Sequence, residues 1–81
     1  MNYKQINSLS NGDCLELQED YEYKTDFKNF MLKKGTRMVL VGCSLSGYTF
    51  KFEQQDIDAP YTFGKKRLHR MKLKIIGEVH L

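Results

Sequence analysis

Residues 71–81 constrain this chain more than any other stretch. Every second position is apolar or glycine: Met71, Leu73, Ile75, Gly77, Val79 and Leu81. Between them stand Lys72, Lys74, Ile76, Glu78 and His80, with Arg70 in phase just before. Successive side chains of a strand point to opposite faces, so this spacing predicts a long β-strand with one apolar and one mostly charged face. Gly77 interrupts the apolar row and marks an expected bend. A strand of that length with one wet face needs neighbouring strands and a core.

A chain of 81 residues is expected to make one domain spanning 1–81, burying only about 60–65% of its unfolded surface. That leaves no room for a second domain or a large internal pocket. A hydrophobic fraction of 41% with 12% aromatics suits a globular fold rather than a disordered tail. The start, Met1-Asn2-Tyr3-Lys4-Gln5, lacks the apolar run of a secretory signal. No apolar segment approaches the roughly 20 residues of a membrane span. These features predict a reduced, cytoplasmic setting in which Cys14 and Cys43 are buried free thiols.

The first twelve residues are polar, with Ile6 and Leu9 three apart, which allows one helical turn packed on the fold. Ser10-Asn11-Gly12-Asp13 is a turn signal. Residues 14–18 alternate and predict a first strand with Leu15 and Leu17 inward. Tyr21 and Tyr23 share one side if residues 19–24 are extended. Residues 25–34 read slightly better as a helix or irregular segment than as a strand. Thr25 or Asp26 supplies an N-cap, Phe27, Phe30 and Met31 share a face, and Gly35 stops it. Residues 37–43 are apolar on both faces and predict a covered central strand. Residues 48–53 alternate aromatic and polar, completing a hairpin across Ser44-Leu45-Ser46-Gly47. Residues 54–60 read as a loop, 61–63 as a short strand or an extended loop, and 64–67 as a turn before the last strand.

Four or five strands, short connections and at most one or two short helices predict a mainly β fold. An antiparallel sheet of this size protects its edges best by curling into a small barrel. The Gly12-Asp13-x-Leu15-x-Leu17 opening, and Lys34-Gly35-Thr36 before an apolar strand, resemble SH3-like barrels in part of the chain. An OB-like barrel and an open α+β sheet are the alternatives.

Motifs for catalysis are missing. Cys14, Cys43, His69 and His80 lack the paired spacing of zinc ligands. Gly42-Cys43-Ser44-Leu45-Ser46-Gly47 misses a nucleophile elbow by one position. Lys33-Lys34-Gly35-Thr36 has the wrong order for a phosphate-binding loop, and Asp56 with Asp58 falls short of a calcium loop. The expectation is therefore no enzyme, no metal and no cofactor.

The strongest functional signal is residues 65–74. They hold six cations, Lys65, Lys66, Arg67, Arg70, Lys72 and Lys74, and no acid. Tyr61 and Phe63 stand just before. Cations release counterions from phosphates, and aromatic faces stack on unpaired bases. This combination predicts contact with RNA or single-stranded DNA. A net charge of only +3, and an acidic block with six acids over residues 13–26, favour the competing reading of a solvated, cross-paired face. The alternative partner is a protein, or a second copy of this chain, met through Tyr21, Tyr23 and Ile76. In that reading the chain is an inhibitor or adaptor, in the style of a viral or mobile-element accessory protein acting on a host protein.

Overall fold

The computed structural model describes residues 1–53 and 60–78. Of the expected loop at 54–60, residues 54–59, with Asp56 and Asp58, lie outside the described residues, as do Val79, His80 and Leu81. The elements run α1 (Tyr3–Asn7), β1 (Asp13–Leu17), β2 (Tyr21–Lys24), β3 (Asn29–Leu32), β4 (Arg37–Ser44), β5 (Gly47–Phe52), β6 (Tyr61–Phe63), α2 (Lys65–Arg70) and β7 (Leu73–Glu78). The fold is mainly β. Five strands form an antiparallel sheet in the order β6-β5-β4-β1-β7, and β2 pairs with β3 as a separate hairpin.

Alternation places the core as expected for most strands. Leu15 and Leu17 of β1, Met38 and Leu40 of β4, Tyr48 and Phe50 of β5, and Phe63 of β6 are all buried on one face. They form one cluster with Ile6 from α1, Leu32 from β3, and Leu68 and Met71 from α2 and its end. The helices and the hairpin thus cover what a single sheet leaves open. The short α1 is held by reciprocal capping. Asn2 Oδ1 accepts from the Gln5 backbone N–H at 2.8 Å, and Gln5 Oε1 accepts from Asn2 at 3.0 Å.

Four expectations are corrected. Residues 25–34 are not helical but form a hairpin turn followed by β3. The Thr25 hydroxyl does accept from two following backbone groups, Phe27 at 3.3 Å and Lys28 at 3.0 Å. That is capping chemistry, but the chain reverses because pairing wins. Tyr23 stacks on Phe30 with centroids 4.7 Å apart, and Leu32, opposite Tyr21, is fully buried. Phe27, which a helix would have buried, is 95% exposed.

The expected turn at 64–67 is instead the start of α2. Leu68 and Met71 are three apart and both fully buried, so a helical period overrides the strand-like alternation up to Met71. The last strand is therefore short and begins at Leu73. It is also less covered than its pattern predicts, since Ile75 is 42% exposed. Its register slips opposite Cys14 and Leu15, which pair with Gly77 and Ile75, leaving Ile76 as an extra bulged residue. Finally, Cys43 is exposed rather than buried, because β4 outruns the covered part of the sheet.

Gly47 fixes where β5 meets β6. Its φ is +135°, and a Cβ there would overlap the Phe63 carbonyl. Gly35 also has positive φ, +89°, but faces open space. Gly35→Ala should cost about 1–2 kcal/mol of backbone strain. Gly47→Ala adds a backbone collision and should cost more than about 3 kcal/mol, which is in the upper tail for single substitutions. Urea midpoints of the two variants check this ordering.

Candidate nucleic-acid interface

The basic run divides between two elements with different geometry. Along α2, Leu68 points into the core and Arg67 is half-buried, while Lys65, Lys66, His69 and Arg70 are exposed. Residues four apart on a helix share a face, so Lys65 with His69, and Lys66 with Arg70, form two adjacent rows. Lys72, just before β7, and Lys74 within it continue the exposed cations on either side of the inward Leu73.

Arg67 is removed from this face. Its guanidinium lies 4.6 Å from the Tyr23 ring centroid, and Nη1 donates to the Tyr21 hydroxyl at 3.2 Å. It clamps α2 to the β2–β3 hairpin. Tyr21 and Tyr23, expected as protein-interface anchors, are half-buried here and pack against the core. Phe63, expected to stack on bases, is fully buried and packs against Phe50, Phe52 and Tyr23. Tyr61 is half-buried in the same cluster, beside Phe30 and Tyr23. Its hydroxyl accepts from Lys28 Nζ at 2.8 Å, with the ammonium also 5.2 Å from the ring centroid. Ile76 is 39% exposed at the bulge of β7.

The acidic block meets the basic run at one position of the sheet, where Glu16 stands opposite Lys74 as the ladder expectation has it. Asp13 is nearly buried and its carboxylate accepts from the Ser10 backbone at 2.9 Å. Asp20 accepts from the Lys34 backbone at 2.7 Å. Glu16 stands opposite both Arg37 and Lys74 in register. Its carboxylate lies 3.7 Å from Arg37 Nε, on the β4 side. That is the one ion pair within 4.0 Å whose partners are both described residues. Lys65, Lys66, Arg70, Lys72 and Lys74 thus have no carboxylate within that distance among the described residues.

Sequence reasoning missed the aromatic group that stands on this face. The ring of Tyr3, 44% exposed, stacks on His69 with centroids 4.5 Å apart and planes 16° from parallel. His69 Nδ1 lies 2.9 Å from the Met1 carbonyl oxygen, and the terminal ammonium donates to the Met71 carbonyl at 3.4 Å. No local pattern signals this pairing, because α1 and α2 meet only through the fold.

Burial, aided by Glu53 and Glu16 and opposed by Arg37, pushes the Cys14 thiol up from its ordinary value. Among the described residues no cluster of three or more His, Cys, Asp or Glu is placed to hold a metal ion. No helix among them is long and apolar enough to cross a membrane. Comparison with protein families, curated proteins and solved structures finds no match to this chain.

Two outcomes are expected. Arg67→Ala removes a ring contact and a hydrogen bond and should cost about 1–2 kcal/mol in urea unfolding, against less than about 0.5 for Lys66→Ala. At alkaline pH a thiol reagent should modify Cys43 quickly and Cys14 only slowly, and Cys43→Ser should abolish the fast phase. The raised Cys14 group loses its proton later in the folded chain than in the unfolded one. Its stabilising effect is therefore present below the ordinary thiol range and declines as pH rises through the folded value.

Proposed function

We propose that this chain is a non-enzymatic binding protein that contacts RNA or single-stranded DNA through the cations of α2 and β7. The observation that carries this reading is the set Lys65, Lys66, Arg70, Lys72 and Lys74, all exposed and without a carboxylate within 4.0 Å among the described residues. Such a face attracts a phosphate backbone by displacing its counterions, without regard to sequence. Arg67 belongs to the packing of α2, not to the contact. Phe63 lies too deep to stack. The sheet order β6-β5-β4-β1-β7, its two register bulges and the hairpin over one end support reading the fold as an SH3-like barrel. Two free cysteines accord with a reduced, cytoplasmic location.

One observation favours a second reading. β7 is the terminal strand of its sheet, and Ile75 and Ile76 are 42% and 39% exposed on it. An apolar edge strand invites pairing with a protein partner or a second copy of the chain.

Titration with a short RNA and a short single-stranded DNA over a salt series separates the two. Five phosphate contacts predict a log–log slope near about −3.5, and an affinity loss of about 100-fold from 50 to 200 mM salt. Replacing Lys72 and Lys74 by glutamine should flatten the slope by about 1.4. A salt-independent response, or no binding at low salt, rejects the nucleic-acid reading and favours the edge-strand partner.

A further inference from the structure

We propose that the stacked rings of Tyr3 and His69 form a platform for one unpaired base of the bound strand. This rests on the nucleic-acid reading above and supplies the base contact that reading lacks. The aromatics nearest the basic run in sequence cannot serve. Phe63 is fully buried, Tyr61 is engaged by Lys28, and Tyr23 carries the Arg67 guanidinium.

Tyr3 and His69 have the opposite character. Both are exposed, and the ring contact sets Tyr3 against α2, the helix that carries Lys65, Lys66 and Arg70. One face of Tyr3 is covered by His69 and the residue is still 44% exposed, so the base is assigned to the other face. A base laid there extends an existing stack, with ring planes already 16° from parallel. The pair is held in place before any ligand arrives. Fully buried Ile6 anchors α1, fully buried Leu68 anchors α2, and His69 Nδ1 is tied to the Met1 carbonyl oxygen at 2.9 Å. Little ordering remains to oppose binding.

Cations flank both rings along their own helices. Lys65 and Lys66 lie one helical turn before His69, Arg70 follows it, and Lys4 follows Tyr3. Phosphates flanking the stacked base meet a positive side chain on either side. Every base has a π-face, so the platform is sequence-tolerant, as is the backbone contact around it. The ligand class is a flexible single strand, because a paired base in a duplex does not offer its face.

The test compares hexa-adenylate with inorganic polyphosphate, which has the charge but no base. Tyr3→Ala should weaken hexa-adenylate binding about 5- to 150-fold, the effect of one stacked base, and leave polyphosphate binding unchanged. Tyr3→Phe should bind both probes as the parent does. The chain has no tryptophan, so Tyr3→Trp introduces a single reporter whose emission should be quenched by the oligonucleotide. Unchanged hexa-adenylate affinity in Tyr3→Ala, or an unquenched tryptophan in the bound state, overturns the platform and leaves the basic face standing. Equal losses with both probes also overturn it, since Tyr3 then only holds α1 in position. If the parent chain binds neither probe, the basic-face reading and the platform fall together.

Discussion

The pairing of β1 with β7 is the constraint on which the rest of the structure depends. It joins residues 13–17 to residues 73–78, nearly the whole length of the chain apart. Closing that span carries an entropic cost that grows with its length. Burial of Leu15 and Leu17 against Leu73 and the rest of the core opposes that cost, at about 1.5–3 kcal/mol for each fully buried leucine. β1 also pairs with β4, so among the described residues it links β7 to the other strands of its sheet. β6 and β7 are the two ends of that sheet, yet only α2 and its flanking residues connect them in sequence. The connection must cross the core, and Leu68 and Met71 are the side chains it buries on the way.

That crossing sorts the cations. As a strand, residues 65–74 would send alternate side chains outward. As a helix followed by a strand, they keep Lys65, Lys66 and Arg70 outside and turn Arg67 toward Tyr21 and Tyr23. The same geometry brings His69 to the surface beside α1, where Tyr3 covers it. Three acids of residues 13–26 have contacts away from α2. Asp13 closes a turn, Asp20 receives the Lys34 backbone, and Glu16 turns to Arg37. The surface proposed to meet a phosphate backbone is thus a consequence of how the core is closed. It does not follow from the count of lysines alone.

Much of the sheet was legible along the chain, because a two-residue period is a local signal with one physical meaning. β1, β4, β5 and β6 follow from it, and Leu15, Leu17, Met38, Leu40, Tyr48 and Phe50 are buried where alternation puts them. The single turn of α1 was readable from Ile6. Residues 25–34 were misread because Thr25 offers the same hydroxyl to a helix cap and to a hairpin turn. The choice between them lies with Tyr21 and Tyr23, which pair across to Leu32 and Phe30. The alternation at the end of the chain was real but extended too far, since Met71 serves α2 and not β7.

By itself the sequence determined a mainly β chain with a mixed-charge surface and a dense basic run near its end, since composition and period are properties of neighbouring residues. Tertiary structure decided which of those cations reach solvent, which aromatic rings are sealed inside, and which one lies beside the basic face. Tyr3 meets His69, Glu16 meets Arg37, and Phe63 meets the core only when distant segments are packed together. Such contacts are set by the shape of the shared core, which no short window of sequence contains.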